Sequence, residues 1–422
     1  MDSPSPGRPA RRPTCPEPRA HVTDILRLSA ALFLVQAGFH GFTASLPVAL
    51  ARALVPDATI GLIVGSAALV QIPVAILGGR MVDRFGGLRL FYVGGACYLA
   101  GIGILLLPDV SATGSMLPFV LARVFQGAGI GLTGPAALSL VPRILAAHRH
   151  GSGLSYVGAA QNLTGVLAPP LSIAILDTSS LRGVALALVV FVVAGLLLAV
   201  RLPVAPAVHD PAAGGAAVRF GIRFHRSWAA PLAIIVCYVA HWGAVTAYLP
   251  VRAEQAGADV GLYFAADGVG IFLMRLAGAR LVDRVSSRLL VVTGGIATAC
   301  AIGMLLLPLT TPLLIVSGLI GGAAGALVMT PLLLELSRRA TDADRGSAFA
   351  LFSGSIAVAM SLGAFAGAPI VATLGLSAAL AAGIVLIGVG MVITISDASL
   401  GGTAGTGGGP GGEETDVVGV AG

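Results

Sequence analysis

The sequence predicts an all-α membrane protein whose 12 transmembrane helices form two pseudo-symmetric six-helix bundles. Three observations carry this. The 422 residues are 56% hydrophobic and 10% charged, where a soluble domain carries about 25% charged residues, and the mean hydropathy is +0.94. The apolar residues gather into twelve stretches of membrane-spanning length. Short sequence landmarks recur in order about half a chain apart, among them Arg80-Met81-Val82-Asp83-Arg84 and Arg280-Leu281-Val282-Asp283-Arg284.

Taken in order, the first-half spans are Ile25–Leu50, Ile60–Val82, Leu90–Leu107, Met116–Val141, Gly153–Leu176 and Gly183–Val200. The second-half spans are Ala229–Val251, Val260–Val282, Leu289–Leu307, Leu313–Leu336, Ser347–Ala372 and Ala378–Ile395. Each approaches the ~20 apolar residues that cross a ~30 Å hydrocarbon core. Many glycines fall within them. A soluble helix loses about 1 kcal/mol per internal glycine, whereas membrane helices use small residues for close packing.

The charges fix an orientation. All 25 basic residues are arginine. With both termini in the cytoplasm, twenty arginines fall on the cytoplasmic side against Arg52, Arg182 and Arg252 outside, while Arg123 and Arg275 lie within spans. That bias satisfies the positive-inside rule. The domain plan is a disordered cytoplasmic N-tail (1–22), an N-terminal bundle (23–202), a cytoplasmic linker (203–226), a C-terminal bundle (227–398) and a disordered, glycine-rich cytoplasmic C-tail (399–422). The N-tail is rich in proline and arginine and is not followed by a small-residue cleavage site, so it reads as a retained tail.

Several function classes are excluded. Without lysine there is no Gly-x-x-x-x-Gly-Lys-Ser/Thr phosphate loop, and no segment is long enough for a separate soluble enzyme or ATP-hydrolysing module. The basic residues form no nucleic-acid patch with interleaved aromatics. Cys15, Cys97, Cys237 and Cys300 have neither metal-site spacing nor a disulfide framework. The spans hold no His-x-x-x-His pair and no paired acids. No cofactor, no metal and no enzyme activity are therefore expected.

The repeat extends beyond the charged loops. Leu46-Pro47-Val48 matches Leu249-Pro250-Val251, Ala168-Pro169 matches Ala368-Pro369, and Arg149-His150-Gly151-Ser152 corresponds to Arg345-Gly346-Ser347. Duplicated polytopic proteins of this kind are usually transporters.

Over essentially its whole length the chain resembles the major facilitator superfamily. Gly79, Asp83, Arg84 and Gly86 match the G-x-x-x-D-R-x-G motif of that family's loop after span two. The second copy departs from it, with Ala279 and Ser286 at the glycine positions. In span four, Arg123-Val124-Phe125-Gln126-Gly127-Ala128-Gly129 is similar to the R-x-x-Q-G-x-G motif of proton-driven exporters. Span five, Asn162 to Pro170, resembles the exporter motif ending in Gly-Pro, with Ala168 in place of the glycine. The motifs lie closest to the 12-span drug/proton antiporter-like exporters.

The resemblance implies roles for particular residues. Gly79, Asp83, Arg84, Gly86, Asp283 and Arg284 would form a cytoplasmic gate that holds the halves together when the cavity opens outward; the plain alternative is that charges end helices. Arg123 lies ~12 Å inside its span at 1.5 Å per residue, where an arginine costs about 2.5–3.5 kcal/mol to insert. It would serve proton coupling, or else be a structural arginine held by backbone carbonyls. Asp267, at similar depth in span eight, is a titratable group for the proton and a conceivable partner for Arg123 across the halves; the alternative is a polar residue lining the cavity. Gln36 and His40 share a face of span one, and His241, Trp242 and Tyr248 form a polar-aromatic stretch in span seven. With Gln126 and Asn162 they are candidate cavity and substrate residues, or packing hydrogen-bonders.

The expected activity is proton-coupled efflux of a small organic molecule, a drug or natural product, by alternating access. The cargo is expected to be neutral or weakly charged and partly apolar. The alternatives are an importer or facilitator of a small metabolite and, more remotely, a non-transporting membrane sensor or scaffold. The partners are the cargo, protons and the lipid bilayer of the cell membrane, with no nucleic acid, and the unit is expected to be a monomer.

Overall fold

The computed structural model describes residues 18–107, 115–145, 149–203, 224–282, 285–340, 345–397 and 400. Among the described residues, twelve long helices follow one another along the chain. The first six are α1 (Pro18–Arg52), α2 (Asp57–Phe85), α3 (Gly87–Leu106), α4 (Leu117–Ile144), α5 (His150–Thr178) and α6 (Leu181–Val200). The second six are α7 (Ala229–Gln255), α8 (Val260–Val282), α9 (Ser287–Met304), α10 (Thr311–Arg339), α11 (Arg345–Leu374) and α12 (Leu376–Ser396). Among the described residues, eleven of them are long and apolar enough to cross a membrane, and no strand occurs.

All twelve predicted spans are present as helices, mostly running a turn or so past the apolar stretch. Three boundaries differ from the sequence reading. The first helix takes in residues 18–22, which the sequence assigns to a disordered tail. Pro18 is its first residue, a position where proline's fixed φ suits a helix and its missing N–H costs nothing. A short 3₁₀ turn, Arg226–Trp228, precedes α7, so the linker ends in ordered backbone. Leu400, inside the stretch read as a disordered tail, is buried, and its N–H bonds to the Asp397 carbonyl.

The helices alternate in direction, which places the start of α1 and the end of α12 on one face, here the terminal face. Opposite lies the far face. Side-chain contacts agree: Arg182 at the start of α6 donates to the Leu106 carbonyl at the end of α3 (3.0 Å), and Arg252 near the end of α7 donates to the carbonyls of Leu305, Leu306 and Leu307 beyond α9. Arginine on orphan C-terminal carbonyls is a favourable cap.

Each six-helix half repeats the packing of the other. A Cβ on Gly127 of α4 would overlap the Ala67 carbonyl of α2, and one on Gly322 of α10 would overlap the Asp267 carbonyl of α8. Gly94 meets Thr133 and Gly129 as Gly294 meets Val328 and Ala324. Gly95 meets Leu196 as Gly295 meets Met391. The repeated landmarks in the sequence are thus repeated contacts in space. Backbones approach this closely because a membrane gives helices little hydrophobic drive and leaves van der Waals packing to hold them.

The helices differ in enclosure. In α7, 78% of the span is buried, against 33% in α6 and in α12. On α6 the exposed residues Leu186, Val190, Val193, Leu197 and Val200 fall at helical spacing, as do Val385, Val389, Val392 and Ile395 on α12. Such an apolar stripe is the lipid-facing side of a peripheral helix. Between the bundles, α2 packs on α11 and α8 on α5, and α1 meets α7.

Candidate functional site

Apart from Asp24 near the start of α1, which pairs with Arg27 (3.1 Å), each bundle encloses one buried charge among the described residues. In the N-terminal bundle it is Arg123, 3% exposed. Its Nη1 donates to Gln126 Oε1 (2.9 Å) and its Nη2 to the Val64 carbonyl of α2 (3.4 Å). The guanidinium lies 4.8 Å from the centroid of the Phe39 ring of α1, within cation–π range. The spacing of three places Gln126 one turn along α4, on the same face as Arg123. With Oε1 committed to Arg123, the Gln126 Nε2 has no partner among the described residues, nor has the Arg123 Nε. A second strand of polar contacts runs beside them: Gln36 donates to Thr133 Oγ1 (3.4 Å), and the Tyr98 hydroxyl of α3 meets the same oxygen at 3.5 Å. His40 stands edge-on to Phe39, with ring centroids 5.2 Å apart, and faces Gly165 of α5.

In the C-terminal bundle the buried charge is Asp267, 6% exposed. Its Oδ1 lies beside Gly321 of α10, as does the hydroxyl of Tyr263 one turn earlier on α8. The Tyr238 hydroxyl of α7 pairs with Thr298 Oγ1 of α9 at 2.7 Å. The glycine face of α10 gives these groups their room. No hydrogen bond or ion pair reaches the Asp267 carboxyl among the described residues. On the preceding turn of α8, Tyr263 stacks with Trp242 of α7 (6.5 Å), which also meets Phe264 edge-on (6.1 Å). His241 Nδ1 contacts the Tyr238 carbonyl of its own helix, and its ring stands edge-on to Tyr238.

The two charges do not meet, contrary to the cross-bundle pairing that similar depth suggested. Arg123 is committed to partners of its own bundle. The internal repeat supplies the reason. Aligning the halves by their shared glycine contacts sets Asp267 opposite Ala67 and Arg123 opposite Gly318. Each bundle therefore carries its charge where the other has a small residue, one cation and one anion in separate interiors.

Between the bundles, the close approaches among the described residues fall in the half towards the far face. Arg52 at the end of α1 bonds Glu254 of α7 (Nε–Oε1, 2.8 Å) and Asp177 of α5 (Nη2–Oδ1, 2.7 Å). Beneath this triad, Tyr248 of α7 is fully buried and its hydroxyl donates to the Ala364 carbonyl of α11. The same ring fills the space over Gly61 of α2 and Gly367 of α11, while Phe365 sits over Gly65 of α2. Across the other seam, Ile173 of α5 meets Gly261 and Val166 meets Gly268 of α8.

The sequence-predicted residues separate accordingly. Gln36, His40, Arg123 and Gln126 gather in the N-terminal bundle, and His241, Trp242 and Asp267 in the C-terminal one. Tyr248, read as a cavity residue, belongs to the seam instead. Asn162 is exposed on α5, and its amide donates to the Gly158 carbonyl of its own helix (2.8 Å). Of the gate motif, Gly86 ends α2 at φ +86°, its N–H on the Val82 carbonyl, a left-handed position that glycine fills without strain. Arg84 is exposed, 5.3 Å from the Phe85 ring centroid. Asp283 and Arg284 lie outside the described residues; Gly79 and Asp83 lie in the last turns of α2, the Asp83 side chain being outside the description.

Sequence reasoning missed the far-face triad and the glycines under Tyr248 and Phe365. Arg52 and Arg252 entered it only as exceptions to the charge bias. A signal was present: the matching ends of spans one and seven carry opposite charges, Arg52 and Glu254.

The profile of the Major Facilitator Superfamily matches residues 28–363. An uncharacterised MFS-type transporter of Mycobacterium tuberculosis is 31% identical over 167 residues, covering 39% of this chain and 28% of that protein. A triacylglyceride transporter of Mycolicibacterium smegmatis is 34% identical over 97 residues, 23% of this chain and 16% of that one. Those matches span less than a third of the length of the curated relatives. Among solved structures, a POT family transporter in complex with a thioalcohol-conjugated peptide superposes with a TM-score of 0.71 at 14% identity, covering 88% of this chain and 94% of the other. The nucleoside transporter NupG does so with a TM-score of 0.65 at 12% identity, covering 88% and 98%. These two likenesses show the fold.

Proposed function

The chain belongs to the Major Facilitator Superfamily, and from that premise we propose that it exports a small organic molecule in exchange for protons, by alternating access. The observation that carries this reading is the pair of membrane-buried charges, one in each bundle. Arg123 makes two hydrogen bonds and a cation–π contact within its bundle, while the Asp267 carboxyl has no hydrogen bond or ion pair among the described residues. An unpaired carboxyl in an apolar interior is costly as an anion, so a proton is the group that neutralises it. Asp267 is the proton site, and Arg123, with Gln126, holds the N-terminal bundle's polar core against it.

The other roles follow from the positions. By the arginine bias the terminal face is cytoplasmic, so a molecule sealed at the far face is in its inward-facing state. Release of the far-face seal, with closure at the cytoplasmic gate of Gly79, Asp83, Arg84, Gly86, Asp283 and Arg284, gives the outward-facing one. His40, His241 and Trp242 present polar and aromatic surface, which suits a partly apolar cargo that is neutral or weakly charged. The protein works as a monomer in the cell membrane, with both termini in the cytoplasm, and needs neither cofactor nor metal.

A second reading has a specific observation behind it. A lipidic cargo is favoured by the partial likeness to a triacylglyceride transporter and by an apolar groove between α1, α5 and α6, lined by Phe33, Leu167, Leu171 and Phe191 among others.

Purified protein in proteoliposomes under an imposed pH gradient tests the proposal. Addition of one of a panel of polar and hydrophobic small molecules should trigger proton movement, and Arg123→Ala should abolish it. A labelled compound that crosses with no proton response would replace export by facilitated diffusion. A labelled triglyceride moved in preference to small molecules would favour the second reading.

A further inference from the structure

We propose that the far-face seal is a peg-and-socket joint, with Tyr248 as the peg and Gly61 as its socket, and that this fit positions the two bundles in the closed state. The inference rests on the family's two-bundle transport fold alone. It does not depend on the direction of transport, the coupling ion or the cargo.

The two parts belong to different bodies. Tyr248 is fixed to the C-terminal bundle: its hydroxyl donates to the Ala364 carbonyl of α11, and its ring lies against Gly367, where a Cβ would come within 2.6 Å of Cε2. Gly61 belongs to α2 of the N-terminal bundle. A Cβ there would overlap the hydroxyl oxygen of Tyr248 and lie within 2.6 Å of Cε1. One turn deeper the pattern repeats, with a Cβ on Gly65 reaching 2.6 Å from the Phe365 ring. Two aromatic rings of one bundle thus stand over two glycines, four residues apart, of the other. Neither glycine occupies a left-handed conformation, so backbone geometry does not require them. Space does.

The internal repeat sharpens the point. Gly61 aligns with Gly261, and Tyr248 with Ser45 of α1 through the Leu-Pro-Val landmarks. Ser45 is too short to cross a seam, and it bonds instead to the Gly41 carbonyl of its own helix. Gly261 is covered by Ile173 of α5. Among the described residues, the aromatic peg is therefore a feature of one seam, beneath the Arg52 triad. When the bundles rock apart at the far face, the ring leaves with the C-terminal bundle and the socket with the other.

The test reads the bundle separation directly. Spin labels at Thr178 (α5) and Leu374 (α11), on a background with the native cysteines replaced, report the far-face distance by pulsed electron resonance in detergent and in nanodiscs. The unmodified seal should give mainly the short distance. Gly61→Ala should lower the short-to-long ratio by roughly tenfold, the change that about 1.4 kcal/mol of overpacking produces. Adding Tyr248→Ala to Gly61→Ala should restore the short distance, a rescue that general misfolding does not give. Gly65→Ser with Phe365→Ala is the independent second pair. A short distance unchanged in both glycine variants, or shifts that neither peg truncation reverses, would overturn the proposal. Loss of proton coupling with the distances behaving as expected would instead overturn the export reading and leave the joint intact.

Discussion

At the scale of single residues, the membrane interior makes charge informative. Arg123 makes two hydrogen bonds and a cation–π contact with three neighbours, while the buried Asp267 carboxyl lies with the Tyr263 hydroxyl beside Gly321 and meets no cation among the described residues. On this difference rests the proposed titrating role of the acid. Asp267→Asn keeps the shape of the side chain and removes the exchangeable proton. Cargo exchange between equal concentrations on both sides should persist, whereas accumulation driven by a pH gradient should fall to background. Uptake of labelled cargo into vesicles in both modes checks this, and gradient-driven accumulation surviving in the variant would remove Asp267 from the proton path. Both residues were legible in the sequence, because a charge ~12 Å inside an apolar span stands out. Their separation was not, since depth along a helix says nothing about which way a side chain turns.

At the scale of helices, glycine placement is where the sequence was most easily misread. Some glycines mark the closest backbone contacts and others lie in open space, and nothing local tells them apart. Gly127 and Gly322 sit against carbonyls of α2 and α8, whereas Gly103 and Gly303, also equivalent in the two halves, have nothing within 4 Å. Gly127→Ala and Gly322→Ala should each destabilise the protein by about 1–3 kcal/mol through overpacking. Gly103→Ala and Gly303→Ala should be neutral to within about 0.5 kcal/mol, as for substitutions away from contacts. Unfolding in detergent, followed by tryptophan fluorescence, ranks the four. Equal effects in all of them would mean that glycine serves helix flexibility here rather than packing.

For the whole molecule, the seal at the far face combines a water-exposed ionic triad with aromatic packing beneath it, and the two should differ in weight. Arg52, Asp177 and Glu254 side chains are 33–47% exposed, and pairs of that kind contribute about 0.2–1 kcal/mol. Arg52→Gln should therefore lower the closed-to-open ratio by no more than about fivefold, less than Gly61→Ala, and high salt should mimic it in the unmodified protein. The same pair of spin labels measures both. A larger shift in Arg52→Gln than in Gly61→Ala would make the triad the main latch.

The sequence alone determined the twelve helices, the duplication and the two interior charges. Each of these is set by local hydropathy, by self-similarity along the chain or by the cost of charge in hydrocarbon, all of which a one-dimensional pattern records. Only the tertiary structure decided that Arg123 and Asp267 occupy separate bundle interiors, that Tyr248 closes a seam, and that Arg52 ties α1 to α5 and α7. These depend on how the two six-helix halves face one another. That arrangement rests on contacts between residues more than a hundred positions apart, among them Tyr248 with Gly61 and Arg52 with Glu254, whose partners no local pattern encodes.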